Sequence, residues 1–189
     1  MTQKKLILAI LLIVATPLVS GADVVKPEDT VIQLHKSVNM NYDYNQTKAI
    51  ISNCFDFKKI SRIILGRHWT NANEAQRGQF ISALEQMTTT NYMNNFQSKN
   101  FSVLKLEHEK KRAKVYLAVN FTSGKTITVT YILLNSKSKS WKIVNVIIQG
   151  VSDLALKKIE YTNFLKTQSI SELADLIKKK NPTNECCAQ

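Results

Sequence analysis

The sequence has little glycine, proline, cysteine or acidic side chain. Its 189 residues include five Gly, three Pro, three Cys and 14 Asp plus Glu, against 26 Lys plus Arg. A glycine-rich phosphate-binding loop and a long flexible linker both need Gly or Pro at several backbone positions, so this composition excludes them. With 44% apolar residues and no dominant residue type, the chain is expected to form one folded domain.

The shortage of acidic residues leaves a formal net charge of +12. Such a charge attracts anionic partners, which include nucleic acid, anionic lipid, membrane surfaces and acidic proteins. Residues 23–96 and 151–189 each carry a net +1, whereas residues 97–150 carry +8. The positive charge therefore belongs mainly to the middle of the chain.

Residues 1–22 have the pattern of a secretory signal peptide. Two lysines precede an apolar run of ten, residues 6–15, and small residues at 20–22 offer a cleavage site. A membrane anchor is the alternative, but ten apolar residues are too few to cross a bilayer, which takes about 20 as a helix. We expect cleavage to leave residues 23–189 as a single domain in an exported compartment.

Export would place the three cysteines in an oxidising compartment. They permit at most one intramolecular disulfide, and the candidate pairs are Cys54 with Cys186 or Cys54 with Cys187. The alternative is a solvated or intermolecularly crosslinked pair in the C-terminal tail. A metal site is not expected, because no CxxC pair or nearby His completes a tetrahedral set of ligands.

Residues 23–96 show helical periodicity. Pro27 indicates a helix start, Asn45 can cap a short helix, Asp56 can cap the next helix and Gly66 can end it. A longer helix follows. Its apolar residues recur at helical spacing and form one broad stripe: Phe80, Ile81, Leu84, Met87, Tyr92 and Phe96.

From residue 101 to residue 148 the period changes to two. Residues 113–121 and 126–134 alternate apolar with polar side chains, and residues 141–148 are apolar on both faces. Short polar connections predict four antiparallel strands in a meander. The predicted fold is α+β, with N-terminal helices, a four-stranded antiparallel sheet, and C-terminal helices packed with them on one sheet face.

No catalytic motif stands out. His35, His68 and His108 lie outside any nucleophile motif, and the chain has neither a G-x-S-x-G nor an HExxH segment. The sequence therefore supports no reaction class. Nucleic-acid binding is not expected, because the aromatic residues are not clustered with the basic ones and a secreted protein meets few nucleic acids.

Three stretches of the chain resemble the MlaC or toluene-tolerance family of periplasmic phospholipid carriers. They are a helix from Phe57 that ends in Leu-Gly-Arg-His-Trp at 65–69, a long helix opening at Gln76, and the strand and turn of residues 141–152. Their order and spacing hold across residues 28–180. The chain departs from the family pattern in the last strand and the helix after it, where it has Asn145, Gln149 and Leu-Lys-Lys at 156–158.

The resemblance implies a soluble periplasmic carrier that moves glycerophospholipid between the inner and outer membranes and so maintains outer-membrane lipid asymmetry. The implied partners are a diacyl phospholipid, an inner-membrane ABC transporter complex reached through its MCE-domain component, and an outer-membrane lipoprotein and porin complex. It implies no enzyme activity and no cofactor, since the phospholipid is cargo.

Apolar residues on the strands and the long helix are the candidates for lining a lipid pocket between sheet and helices. The candidates are Phe80, Leu84, Met87, Val115, Leu117, Val119, Val129, Tyr131, Leu133, Val144, Val146 and Ile148. The same pattern fits an ordinary packed core, and sequence alone does not distinguish a filled core from a lipid-filled one. The alternative functions are an enzyme of the cone-shaped α+β type and a pocketless adaptor with a basic face.

Overall fold

The computed structural model describes residues 26–40, 42–96, 99–135 and 140–183. In chain order its elements are α1 (Pro27–Asn39), α2 (Tyr44–Cys54), α3 (Phe57–Leu65), α4 (Arg67–Asn71), α5 (Glu74–Phe96), β1 (Asn100–Glu109), β2 (Arg112–Asn120), β3 (Thr126–Asn135), β4 (Trp141–Ile148), β5 (Val151–Ser152), α6 (Asp153–Phe164) and α7 (Ile170–Lys180). None of the helices in these ranges is both long and apolar enough to span a bilayer.

Local sequence fixes most helix ends. The Asp56 carboxylate accepts a hydrogen bond from the backbone N–H of Lys59 at 2.9 Å, and Gly66 ends α3 at φ +51°, as predicted. The predicted cap at Asn45 is wrong. Asp43 begins α2 instead, because its carboxylate accepts from the backbone N–H of Gln46 at 2.8 Å while the Gln46 side chain bonds back to the Asp43 N–H.

The strands form one antiparallel sheet in the order β1-β2-β3-β4-β5. This confirms the α+β class and the four-stranded meander, and it adds the two-residue β5 paired to the end of β4. On β2 the buried residues Ala113, Val115, Leu117 and Val119 alternate with more exposed ones. That alternation gives the sheet one core face.

The helices cover this core face unevenly. Helices α1, α2, α3 and α6 contact the sheet, and α5 packs on α2, α3 and α7. Helix α6 contributes a single buried side chain, Tyr161, to the core. The uneven cover leaves space between α3, α5, α6 and the end of the sheet.

Two predictions lie outside the described residues. The signal peptide at 1–22 is one, and the C-terminal half of the proposed disulfide, Cys186 or Cys187, is the other. Cys54 itself is buried at the end of α2, where its thiol contacts the backbone oxygen of Thr30 at 3.7 Å. Burial raises the pKa of the Cys54 thiol to about 11, which opposes thiolate formation. The disulfide stays a prediction.

Candidate functional site: an apolar cavity at the end of the sheet

A cavity of about 380 Å³ lies between α3, α5, α6 and the sheet. Its walls are mainly aliphatic and aromatic side chains, with a few amides, one carboxylate and one ammonium group. The lining residues are Phe55, Phe57, Ile60, Ile64, Leu84, Met87, Thr88, Asn91, Tyr92, Asn95, Phe96, Phe121, Ile127, Val144, Asn145, Val146, Ile148, Asp153, Leu154 and Lys157.

Two helices supply the sides of the cavity through regular spacing. Helix α3 presents Phe57, Ile60 and Ile64, which share one face because they are three and four residues apart. Helix α5 presents a second stripe, in which Leu84 is followed by Thr88, Asn91 and Asn95. Asn91 and Asn95 are exposed, so this stripe changes from apolar to polar toward solvent.

Strand β4 supplies the sheet side. Val144, Val146 and Ile148 alternate along the strand and all three line the cavity. Their exposure increases along the strand, from 5% at Val144 to 36% at Ile148. The cavity mouth therefore lies at the carboxyl end of β4, near the exposed amides of α5.

Helix α6 brings an ion pair to the cavity. The Lys157 ammonium contacts the Asp153 carboxylate one turn earlier on the same helix. The Lys157 side chain is 16% exposed and that of Asp153 is 47% exposed, so the pair spans the boundary between cavity and solvent. The opposite charges of Asp153 and Lys157, the two charged side chains of the lining, thus neutralise each other.

Asn145 of β4 holds the start of α6. Its amide oxygen accepts hydrogen bonds from the Leu154 backbone N–H at 3.3 Å and from the Ser152 hydroxyl at 3.2 Å, and its amide nitrogen donates to Ser152 at 3.0 Å. Ser152 in turn caps α6 by accepting from the Ala155 N–H. These bonds fix the position of the Asp153 and Lys157 turn against β4.

Three buried polar side chains form a hydrogen-bonded series that runs from the cavity wall into the core. Tyr92, which lines the cavity, donates its hydroxyl to that of Tyr131 at 3.0 Å, and the Tyr131 hydroxyl lies 2.8 Å from Nε2 of His35. The rings of Phe96 and Phe101 also contact the imidazole. Burial lowers the pKa of His35 to about 4 and raises the pKa of Tyr131, so both groups are neutral at pH 7.

The twelve predicted pocket residues divide into two groups. Five of them line the cavity: Leu84, Met87, Val144, Val146 and Ile148. The other seven are completely buried in the core and do not line it: Phe80, Val115, Leu117, Val119, Val129, Tyr131 and Leu133. The cavity thus lies at β4 and the middle of α5, not under the central strands.

The sequence interpretation missed the α3 wall and the polar stripe of α5. The apolar face of α3 was visible as helical periodicity, but a periodic pattern does not show whether that face meets another side chain or an open space. Thr88, Asn91 and Asn95 follow Leu84 at steps of three or four residues, which places all four on one face of α5. That spacing was the signal from which the polar stripe could have been predicted.

The described residues contain no group of three or more His, Cys, Asp or Glu side chains placed to hold a metal ion. The ionisable groups of the cavity lining are Tyr92, Asp153 and Lys157. Burial raises the pKa of Tyr92 well above its usual value, and the other two form the ion pair. This arrangement suits holding an apolar molecule with a polar end at the mouth.

Comparisons with known proteins agree with the geometry. The family model of MlaC proteins matches residues 30–179. Among solved structures, a phospholipid-binding protein from Ralstonia solanacearum in complex with a phospholipid matches with a TM-score of 0.68 at 16% identity, covering 82% of this chain and 93% of that one. A search of curated proteins finds no match. Since the family model covers most of the sequence, the resemblance is confirmed and the chain belongs to the MlaC family.

Proposed function

We propose that this protein binds a phospholipid, with an acyl chain in the cavity and the head group at its mouth. The observation that carries the proposal is an apolar cavity of about 380 Å³ in a chain of the MlaC family. That volume is within the range of roughly 300–1,000 Å³ typical of small-molecule sites. The similar Ralstonia solanacearum protein, whose structure contains a phospholipid, supports the same ligand class.

The energetics explain why a carrier is needed. Two acyl chains of about 15 methylenes each, at ~0.8 kcal/mol per CH₂, cost on the order of 25 kcal/mol to expose fully to water. Spontaneous transfer between membranes is therefore slow. Side chains such as Ile60, Leu84 and Val146 offer an apolar surface comparable to the interior of a bilayer. The acyl chains therefore have a similar free energy in the cavity and in the membrane, and neither loading nor release is strongly unfavourable.

The wider role in this proposal is transport in the periplasm between the inner and outer membranes. The signal peptide pattern at 1–22 and membership of the MlaC family support this location. The exchange partners would be an inner-membrane ABC transporter, through its MCE-domain component, and an outer-membrane lipoprotein and porin complex. Such transport would maintain the lipid asymmetry of the outer membrane.

The cavity argues against the two alternative functions. An enzyme needs a nucleophile, acid or base free to act on the substrate. Here Asp153 and Lys157 are bound to each other and Tyr92 is bound to Tyr131. A pocketless adaptor would have no use for an open, apolar cavity that is bordered by polar groups at its mouth.

A charge placed inside the cavity tests the proposal. Val146 lies half-buried on the cavity wall, so Val146→Asp would bring a carboxylate against the acyl chains without removing a core side chain. Because an unpaired carboxylate in apolar surroundings is costly, we expect at least a tenfold fall in lipid recovered with the protein. Native mass spectrometry and lipid extraction of periplasmic protein measure this.

Val103→Asp is the matched control. Val103 is 40% exposed on β1 and does not line the cavity, so this variant should retain lipid like the wild type. Circular dichroism of both variants confirms that they are folded. Lipid-free wild-type protein, or full lipid retention by folded Val146→Asp, would contradict the proposed function.

A further inference from the structure

Exposed apolar side chains gather on the elements that border the cavity. Among the described residues nine large apolar side chains are at least 36% exposed, and five of them lie on α3, on α6 and on the hairpin of β4 and β5. These five form what we call the mouth patch: Ile63, Ile148, Val151, Leu156 and Ile159. Helix α6 packs on both α3 and β4, so the patch belongs to adjoining elements. Single exposed apolar residues are ordinary, whereas several on adjoining elements mark a surface that another molecule covers.

The hairpin of β4 and β5 fixes two of these side chains beside the cavity mouth. Ile148 lines the cavity and pairs with Val151 across a two-residue turn. The turn residues Gln149 and Gly150 have φ of +48° and +83°, as both central residues of a tight type I′ turn do. The Gln149 N–H also donates to the Thr128 carbonyl at 2.9 Å, which ties the turn to β3. Val151 is therefore held at the rim, where it is 52% exposed.

Helix α6 presents apolar side chains to solvent. Its inward side carries Leu154, Tyr161 and Phe164, which pack against the core. Leu156 and Ile159 lie three residues apart on the solvent side and are 55% and 63% exposed. A surface helix normally carries polar side chains there. Packing within the protein thus does not explain these two residues.

Cations flank the mouth patch on two sides. Next to the cavity on the sheet side, the Lys99 ammonium lies 5.2 Å from the ring centre of Phe121, a lining residue, and Lys125 is exposed in the turn that follows. On the helix side, four of the five charged residues at 56–67 are exposed cations: Lys58, Lys59, Arg62 and Arg67. Helix α6 itself carries two cations and two acids, so it leaves this excess in place. The surroundings of the patch are therefore positive and complementary to an anionic surface.

We propose that the mouth patch docks the protein directly on an anionic phospholipid bilayer, with the cavity mouth facing the membrane. The alkyl side chains of the patch enter the head-group region, and the flanking cations bind lipid phosphates. This contact is with the bilayer surface and is separate from the lipid held in the cavity. Its use, the loading and release of lipid through the mouth, rests on the proposed function.

The composition of the patch favours a bilayer over a protein partner. Protein interfaces are enriched in aromatic residues, Met and Arg, and they are depleted in Lys. The mouth patch contains only Ile, Val and Leu, and four of its six flanking cations are lysines. A second copy of the chain fits poorly as well, because the positive rims of two copies would repel each other.

Vesicle co-sedimentation tests this docking. Protein purified from the periplasm is mixed with vesicles of dioleoyl phosphatidylcholine that contain one quarter dioleoyl phosphatidylglycerol, and separately with vesicles of phosphatidylcholine alone. We expect at least tenfold tighter binding to the anionic vesicles, and weaker binding as salt screens the cations. The double variant Leu156→Ser with Ile159→Ser should bind the anionic vesicles at least tenfold more weakly than the wild type. Val151→Ser, on the hairpin, should also weaken binding and replaces the double variant if that protein fails to fold.

Leu104→Ser is the matched control, since Leu104 is 59% exposed on β1 and does not line the cavity. It should bind the anionic vesicles like the wild type. Equal weakening by the control, or unchanged binding by a folded patch variant, overturns the inference. So does equal wild-type binding to both kinds of vesicle, or binding to neither, which would leave the patch to a protein partner. A wild-type dimer in light scattering that the double variant abolishes would assign the patch to a second copy and overturn the inference too.

Lipid extraction separates this inference from the proposed function. Leu156 and Ile159 do not line the cavity, so the double variant should retain its lipid while it loses vesicle binding. Wild-type protein that contains no lipid would overturn the proposed function and leave the vesicle result standing.

Discussion

Tyr131 shows how a single buried residue can combine apolar burial with polar pairing. It was predicted to line a pocket, and the structure places it on β3 with its side chain fully buried. Its hydroxyl accepts from Tyr92, which leaves its own proton available for Nε2 of His35. One phenol oxygen therefore satisfies two other buried polar groups.

Removal of that hydroxyl should lower the free energy of unfolding. Tyr131→Phe keeps the ring but leaves the His35 nitrogen and the Tyr92 hydroxyl without this partner in a buried site. Such a loss costs about 1–3 kcal/mol. Urea unfolding followed by circular dichroism measures it.

Tyr116→Phe provides the comparison for this substitution. Tyr116 lies on the outer face of β2, where its hydroxyl interacts with the exposed Glu107. Surface changes of this kind usually stay within about 0.5 kcal/mol. Equal effects of the two substitutions would show that the buried network does not contribute specially to stability.

Among the elements, α6 connects the sheet to the cavity. It begins directly after β5, and its first turn carries Asp153, which lines the cavity. Its single fully buried residue is Tyr161, and the partly buried Leu154 and Phe164 also pack against the core. The hydrogen bonds of Asn145 and Ser152 add to this packing and position the first turn of the helix.

Loss of the α6 cap should loosen the helix locally. Ser152→Ala removes the hydroxyl that accepts from the Ala155 N–H and bonds Asn145, at a cost of about 1 kcal/mol. That cost corresponds to about fivefold faster exchange of the first α6 amides if they exchange by local opening. Hydrogen exchange measured by NMR detects it. Ser123→Ala, in the exposed turn after β2, is the control, and unchanged α6 exchange in Ser152→Ala would refute the role of the cap.

The elements of this fold were largely predictable because they depend on local patterns. Asp56 and Gly66 bound α3 as expected, and the period of two identified the long strands. The start of α2 was missed because Asp43, two residues before Asn45, offers a capping box with Gln46. When two nearby residues can each cap a helix, the helix starts at the one that also forms the reciprocal hydrogen bonds of a capping box.

The cavity was less predictable because it depends on distances between elements. Leu117 of β2 and Val146 of β4 both follow the alternation of a strand, yet Leu117 is fully buried and Val146 borders open space. The difference arises from where α3, α5 and α6 lie over the sheet. Alternation tells which face a residue is on, and it does not tell how closely a helix approaches that face.

At the scale of the whole molecule, the positive charge has a defined location. Several cations of residues 97–150 are exposed on the strands and turns: Lys105, Lys110, Lys111, Arg112 and Lys125. Glu107 pairs with Lys105 at 2.8 Å and with Lys114 at 3.0 Å, which offsets only part of that charge. Attraction by exposed charges acts over about 8–10 Å at physiological salt, so it guides encounter with an anionic surface over a short range.

The stability of the whole protein should depend on pH through His35. Burial lowers its pKa from 6.5 to about 4, so between these values the unfolded chain binds a proton that the folded protein does not. Acidification through this window therefore favours unfolding, and the contribution is fully present only above about pH 6.5. The side chains that face the imidazole, Tyr92, Phe96, Phe101 and Tyr131, carry no charge in this range and cannot offset the effect.

We expect His35 to contribute a loss of about 2 kcal/mol in unfolding free energy between pH 7.5 and pH 5. Urea unfolding at several pH values measures the loss. His35→Gln keeps a hydrogen-bonding group toward Tyr131 but does not titrate, so its unfolding free energy should change less over the same range. Because the other two histidines are present in both proteins, the difference between the two pH profiles isolates His35. Parallel profiles would mean that His35 becomes protonated without unfolding, through an opening of the network at Tyr131 that lets water reach the imidazole.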